Sequence, residues 1–284
     1  MNEEGEDIAM GDRRFRFGLI AQRTESGAEW RAQARRTEEL GYDTLLMPDG
    51  MQLLAPLPAL AVAASVTTNL RVGTFVLAST ARPPRIAAWE AHSLTALTDN
   101  RFELGIGTGN PWMNRQVVEE AGLPETTPGQ RLARVRETVE QLRALDTEAR
   151  TPVLIAAGGP RARALAGEVA DIVTLPHPPF ASRADVRKLV DETRDAAGER
   201  ADEIEFSMNL VTVGGEMSPG LEAIVGVDVA SLLANDSLLA LTGTPREMAD
   251  EIQRRRDELG CSYVTLNSLH IDTFAPVVEL LRDR

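Results

Sequence analysis

From Phe15 onward the chain alternates short apolar runs with stretches in which apolar residues recur at three- and four-residue spacing. The first pattern is that of buried strands and the second that of amphipathic helices; their alternation is the signature of βαβ units on a parallel sheet. Eight runs qualify as strands: FRFGLI (15–20), DTLLMP (43–48), LRVGTFVLA (70–78), RFELGIG (101–107), PVLIAAG (152–158), DIVTLP (171–176), IEFSMNLVTV (204–213) and SYVTLNS (262–268). Residues 28–41, 83–98, 128–146 and 244–260 are among the helices predicted between them. Gly41 and Gly260 stand just past the last periodic residue, where a left-handed cap ends a helix. TPRE at 244–247 reads as a capping box with proline at the first helical position. Eight strand–helix pairs predict a (β/α)8 barrel over residues 14–284 as one domain. Residues 214–243 fit least well and are expected to form an excursion between the seventh and eighth strands, placed to act as a lid.

Charge narrows the partners. With 30 Lys+Arg against 43 Asp+Glu, the net charge of -13 leaves no uniformly basic face for nucleic acid or an anionic membrane, which favours a small-molecule substrate. A single cysteine, Cys261, excludes an internal disulfide framework, and no stretch approaches the roughly 20 apolar residues of a membrane span. The acidic opening MNEEGEDIAMGDRR lacks the apolar segment of a secretory signal, so residues 1–13 are expected to be a disordered tail and the protein cytoplasmic.

In barrels of this type the chemistry sits at the C-terminal ends of the strands. Runs two to five are followed there by MPDGM, STARPP, GTGNPW and GGPRARALA. A strand that only fills a core has no need of Gly-Thr-Gly at its tip; glycine there lets something lie close to the backbone. In this order the motifs resemble the luciferase-like superfamily, and within it the oxidoreductases that use the deazaflavin coenzyme F420. The stretches LAPLPALAVAASVTTNLRVGTFVLA and LTDNRFELGIGTG carry the resemblance, which spans nearly the whole chain from Phe15.

The resemblance implies a bulge in the third strand with a non-proline cis peptide at Phe75–Val76, propping the cofactor ring from behind. It also implies that Gly107, Thr108, Gly109 and Asn110 border the ring edge and side chain, and that Asp49 meets the polar side of the ring. Asp49 could instead cap the segment that follows it. The glycine pair after the fifth strand opens a helix whose free N–H groups suit a phosphate, giving Ala157, Gly158 and Gly159 as its site. Trp112 is expected to wall the cofactor or substrate. In the sugar-phosphate dehydrogenases of this branch a histidine base directly follows the aspartate; here Gly50 stands there, which points to the reducing direction, onto a C=C or C=N bond.

Of the three histidines, His92 sits in an amphipathic helix, and His177, after run six, is the candidate proton donor. Their scatter gives no paired ligand spacing, so no catalytic metal is expected. Arg254–Arg256 read as a solvated helix face. Trp30 and Trp89, on outer helices of the first half, suggest a homodimer, as is common in the superfamily. Three functions compete: an F420-dependent reductase, a monooxygenase that receives FMNH2 from a separate flavin reductase, and a non-catalytic flavin-binding barrel.

Overall fold

The computed structural model describes residues 13–217 and 219–284. The expected tail lies outside the described residues except for Arg13, whose guanidinium donates to the Asp202 carbonyl. The first half contains β1 (Arg16–Ile20), α1 (Gly27–Glu39), β2 (Thr44–Met47), α2 (Pro56–Ser65), β3 (Arg71–Thr74), β4 (Leu77–Ala78), α3 (Pro84–Leu97), β5 (Phe102–Gly107), α4 (Pro111–Glu119) and α5 (Pro128–Leu145). The second contains β6 (Val153–Ala156), α6 (Pro160–Val169), β7 (Ile172–Thr174), α7 (Arg183–Ala197), β8 (Glu205–Leu210), β9 (Thr212–Val213), α8 (Pro219–Val225), α9 (Val229–Ala234), β10 (Ala240–Leu241), α10 (Pro245–Leu259), β11 (Cys261–Asn267) and α11 (Ile271–Leu281).

The main sheet runs β3-β2-β1-β11-β8-β7-β6-β5-β4, all parallel, and β3 also pairs with β5. The sheet is therefore closed, with β3 and β4 sharing one of eight strand positions, and the helices surround it as a (β/α)8 barrel. Alternate residues of each strand face outward into a continuous apolar layer beneath the helices, where Phe17 packs edge-on against Phe274 of α11. The inward row is filled in mid-barrel by Leu46, Leu154, Ile172 and Tyr263.

The N-terminal end of the barrel is plugged by charge. Arg16 donates to Glu205 at 2.7 Å and to Glu103, Arg71 reaches Glu103 at 2.5 Å, and the Arg16 guanidinium lies 4.4 Å over the Tyr263 ring. The buried carboxylates are thus paired, as charges in such a site must be.

Local signals hold. Thr244 and Glu247 form the reciprocal capping box at the start of α10, and Gly260 ends it at φ 73°, a left-handed conformation glycine adopts without strain. Two apolar runs are broken where one strand each was expected: 70–78 splits into β3 and β4, and 204–213 into β8 and β9. The second break sends β9 out of the barrel to pair with β10, so the 214–243 excursion carries two short helices and half of a second parallel sheet.

Two outer-face expectations are corrected. Trp30 is 1% exposed and donates its indole N–H to the Ala59 carbonyl at 2.7 Å, so it belongs to the core and cannot serve a dimer face. Of the arginines at 254–256, only Arg254 reads as solvated. Arg255 is buried, donating to Glu251 and to the Leu238 and Ala240 carbonyls, and Arg256 stacks 4.2 Å over the Phe15 ring.

Candidate active site

A cavity of about 990 Å³ opens at the C-terminal ends of the barrel strands. Its wall collects residues from separate strand tips: Asp49 beyond β2, Phe75 and Val76 between β3 and β4, Gly107 at the end of β5 with Thr108 to Asn110 beyond it, Gly158 beyond β6 and His177 beyond β7. Trp112 adds its half-exposed indole from the first turn of α4.

The wall at β3 and β5 explains the small residues at the two tips. The ladder pairs Gly73 with Glu103 and resumes with Leu77 opposite Ile106, so Thr74, Phe75 and Val76 face only Leu104 and Gly105. One extra residue makes a bulge, and the Phe75–Val76 peptide within it is cis. The bulge interrupts the backbone ladder, and the buried Thr74 hydroxyl takes its place: it donates to the Gly105 carbonyl at 2.7 Å and accepts from the Gly105 N–H at 2.9 Å. The chains approach so closely that a Cβ on Gly105 would lie 1.8 Å from the Thr74 carbonyl oxygen. Gly107 meets Val76 in the same way, a Cβ there coming within 3.1 Å of its methyl. The glycines of β5 thus make room first for the bulge, which in turn presents Phe75 and Val76 to the cavity.

Asp49 is 9% exposed at its side chain and already has two partners: it accepts from the Ala78 N–H at 3.1 Å and pairs with Arg82 at 2.8 Å. It thereby ties the tip of β2 to β4 across the bulge. Arg82 escaped notice in the sequence; its signal was an arginine directly before the Pro-Pro that opens α3.

Asn110 lines the cavity while the oxygen of its carboxamide serves the following helix. Asn110 is the N-cap of α4, its side-chain oxygen accepting from Met113 N–H at 2.8 Å. Asn114 instead shapes the glycine loop, donating to the Thr108 and Gly109 carbonyls at 3.2 and 3.3 Å and accepting from the Thr80 hydroxyl. Gly109 sits at φ 70°, where a side chain would be strained.

At the tip of β6, Gly158 lines the cavity and Gly159 caps α6 without any side chain closing the turn, leaving the first N–H groups of the helix open. Arg163 holds this loop from behind, donating to the Gly158 carbonyl at 2.8 Å and to Glu192 at 2.6 Å. Ala157 is a correction: it is fully buried in the core and its N–H donates to the Thr174 carbonyl, because the strand's alternation turns it away from the cavity. Gly159 is exposed but falls outside the cavity lining.

His177 lies on the rim with Nδ1 3.0 Å from the Pro178 carbonyl, and burial lowers its pKa, favouring the neutral ring. Opposite the bulge, the 214–243 excursion supplies Leu221, Ile224, Val225, Leu238 and Leu239 as an apolar wall, which sequence periodicity could not place. Ser207 and Asn209 on the inward row of β8, also missed, bring polar groups to the floor.

A parallel barrel with one such cavity at its strand tips is the architecture of a barrel enzyme. Residues 14–218 match the family model of the luciferase-like monooxygenases, and the chain belongs to that family. It is 34% identical over 167 residues to the F420-dependent glucose-6-phosphate dehydrogenase of Intrasporangium calvum, covering 48% of this chain and 50% of that protein. The protein of the same description from Nakamurella multipartita is 28% identical over 232 residues, 69% of this chain and 67% of that one. The match thus spans about half the length of the first relative. Among solved structures, an F420-dependent secondary alcohol dehydrogenase in complex with an F420–acetone adduct superposes with a TM-score of 0.77 at 17% identity, over 95% of this chain and 100% of that one, a likeness of fold.

Proposed function

We propose that this chain is an F420-dependent oxidoreductase that works in the reducing direction on a C=C or C=N bond of a small organic molecule. The observation that carries this reading is the cavity wall at β3–β5, where Gly105 and Gly107 leave room for the bulge and Phe75, Val76 and Gly107 line the cavity. The chain's groups fit the coenzyme. The open N–H groups of α6 beyond Gly158 and Gly159 suit a phosphate. Gly107, Thr108 and Gly109 bring backbone near the chain that joins ring to phosphate. The curated relatives named for F420 support the same choice of cofactor.

Bound there, the reduced deazaflavin supplies a hydride. The protein's own contribution is placement. Phe75 and Val76 would back the coenzyme ring, the Asp49–Arg82 pair, which ties the β2 and β4 tips together, would lie along its polar side, and Trp112 would bound the face left for substrate. The apolar residues of the excursion exclude water from that face. His177, at the rim, would take up a proton from entering solvent and pass it on to complete the reduction, since burial favours its neutral ring between turnovers. With Gly50 after Asp49, the position of a histidine base is empty, which weighs against oxidation of a sugar phosphate. The protein works in the cytoplasm as a homodimer, its coenzyme re-reduced by a separate F420 reductase. The exposed Ile86, Trp89 and Leu97 on α3 supply an apolar face for the dimer.

The test is anaerobic. Enzyme, reduced F420 and a panel of enone, enamine and imine substrates are mixed, and the return of oxidised coenzyme absorbance is followed. Turnover independent of air supports the reading. Turnover with FMNH2 alone, and only in the presence of O2, would replace it by the monooxygenase reading.

A further inference from the structure

Three carboxamides stand together across the barrel mouth from the bulge. Around the closed sheet, β8 and β11 lie opposite the positions of β3–β4 and β5, with β1 beside β11. Alternation along the strands turns Asn209 of β8 and Asn267 of β11 inward, and Gln22 follows just beyond β1. All three line the cavity. The ladder sets Thr265 beside Asn209 and Ile20 beside Asn267, so the three amides climb from floor to rim over neighbouring strands.

Their bonds to one another and to the chain fix which way each amide faces. Asn267 Oδ1 accepts from the Leu269 N–H at 2.9 Å, at the turn that leads into α11, and also from the Gln22 amide nitrogen. An amide carries its acceptor on one arm and its donors on the other. Asn267 is therefore left with its Nδ2 donors, and Gln22 with its Oε1 acceptor, without a partner among the described residues, and the bond between the two side chains keeps these groups close together. Deeper in the cavity, Asn209 gives its Oδ1 to the Thr265 hydroxyl at 3.1 Å and keeps its own Nδ2 donors.

No free charge accompanies this row. Asp49 and Arg255, the charged side chains enclosed in the lining, are held by Arg82 at 2.8 Å and Glu251 at 2.7 Å, and Arg23 stands in solvent beside Glu25 at 3.2 Å. A carboxylate would set an oxygen against Gln22 Oε1 and meet no unpaired cation, and an ammonium would face the donors of Asn209 and Asn267. A neutral group with C=O and N–H on one edge satisfies both arms: its oxygen accepts from Asn267, and its N–H donates to Gln22.

We propose that the cavity takes an unsaturated lactam or amide, its amide edge on Asn267 and Gln22, with Asn209 as a second donor to the carbonyl oxygen, and its double bond turned toward the bulge. This rests on reading the cavity as the substrate site and specifies the class of substrate. Gln22 and Asn267 are the specificity-determining residues.

Calorimetry on the full chain, without coenzyme, tests it with 2-quinolinone, with coumarin as the lactone of the same shape, and with 2-naphthoate as the carboxylate. Coumarin puts a ring oxygen where the lactam has its N–H, and should bind about tenfold more weakly, the discrimination of a site built to bond that hydrogen. The carboxylate should bind more weakly still. Gln22→Met should bring 2-quinolinone down to the affinity of coumarin and leave coumarin unchanged, whereas general damage to the site would lower both. Asn267→Asp keeps the oxygen that serves Leu269 and replaces the donor by an acceptor, so it should weaken lactam and lactone alike. Saturation with oxidised F420 should leave the lactam bound, since the carboxamides face the bulge from across the mouth. Failure of the lactam to bind, equal affinity for lactam and lactone, tight binding of the carboxylate, a Gln22→Met chain that keeps the preference, or displacement of the lactam by F420 would each overturn the proposal. Lactam preference with no F420 turnover would refute the proposed reaction and leave the amide site standing; turnover without that preference would do the reverse.

Discussion

Replacing Thr74 by valine probes the joint on which the cavity wall depends. The change keeps the side chain's shape and removes the hydroxyl that serves Gly105 at both its carbonyl (2.7 Å) and its N–H (2.9 Å). Thr74 is 1% exposed, so water cannot substitute. A buried polar group left unpaired costs roughly 1–3 kcal/mol, which for two groups gives a range of about 2–6 kcal/mol. Some relaxation of the bulge lowers this, and a loss of about 3 kcal/mol is expected. For a chain of this size each kcal/mol moves the midpoint by roughly 2–4 °C, so thermal unfolding followed by circular dichroism should shift down by about 6–12 °C. Thr74→Ser keeps the hydroxyl and removes one methyl, which should cost about 1 kcal/mol. A valine variant within about 0.5 kcal/mol of the parent, or a serine variant as damaging as valine, would refute the reasoning, since the hydroxyl would then not be replacing the ladder.

Three further outcomes are expected. Asp49→Asn should cost about 2 kcal/mol by leaving Arg82 only its more distant partner Glu90, 3.9 Å away, and should weaken F420 binding in a tryptophan-quenching titration; unchanged affinity would leave Asp49 with only its structural bonds to Ala78 and Arg82. Trp89→Glu, on the exposed face of α3, should shift the protein from dimer to monomer in light scattering, and a parent that is already monomeric would remove the proposed interface. Burial lowers the folded-state pKa of His177 and of His270, so below the ordinary value of about 6.5 the unfolded chain binds more protons and stability falls with acidification. Urea midpoints between pH 7.5 and pH 5 should therefore decline less steeply in His270→Gln than in the parent, and parallel slopes would show that this histidine is not protected.

What could be read along the chain was what local interactions decide. Apolar period and cap chemistry act within a few residues, so the strands, the long helices and the Thr244–Glu247 box followed from the sequence, and eight alternating pairs allowed little besides a closed barrel. The motifs after successive strands likewise marked the end of the barrel where the cavity opens, because parallel strands bring all their C-terminal tips to one side. Barrel closure decided the rest. Thr74 and Gly105 are 31 positions apart and meet only because β3 and β5 become neighbours around the bulge. Arg82 finds Asp49 across 33 positions, and Arg255 is drawn out of its solvated-looking run by carbonyls of the excursion 15 and 17 positions away. Ala157 turned from cofactor site to core, and Trp30 from dimer face to core, by the direction in which one strand and one helix present a side chain. Such partners have no signature in the sequence, since their attraction is short-ranged in space and arises only once the fold has brought distant positions into contact.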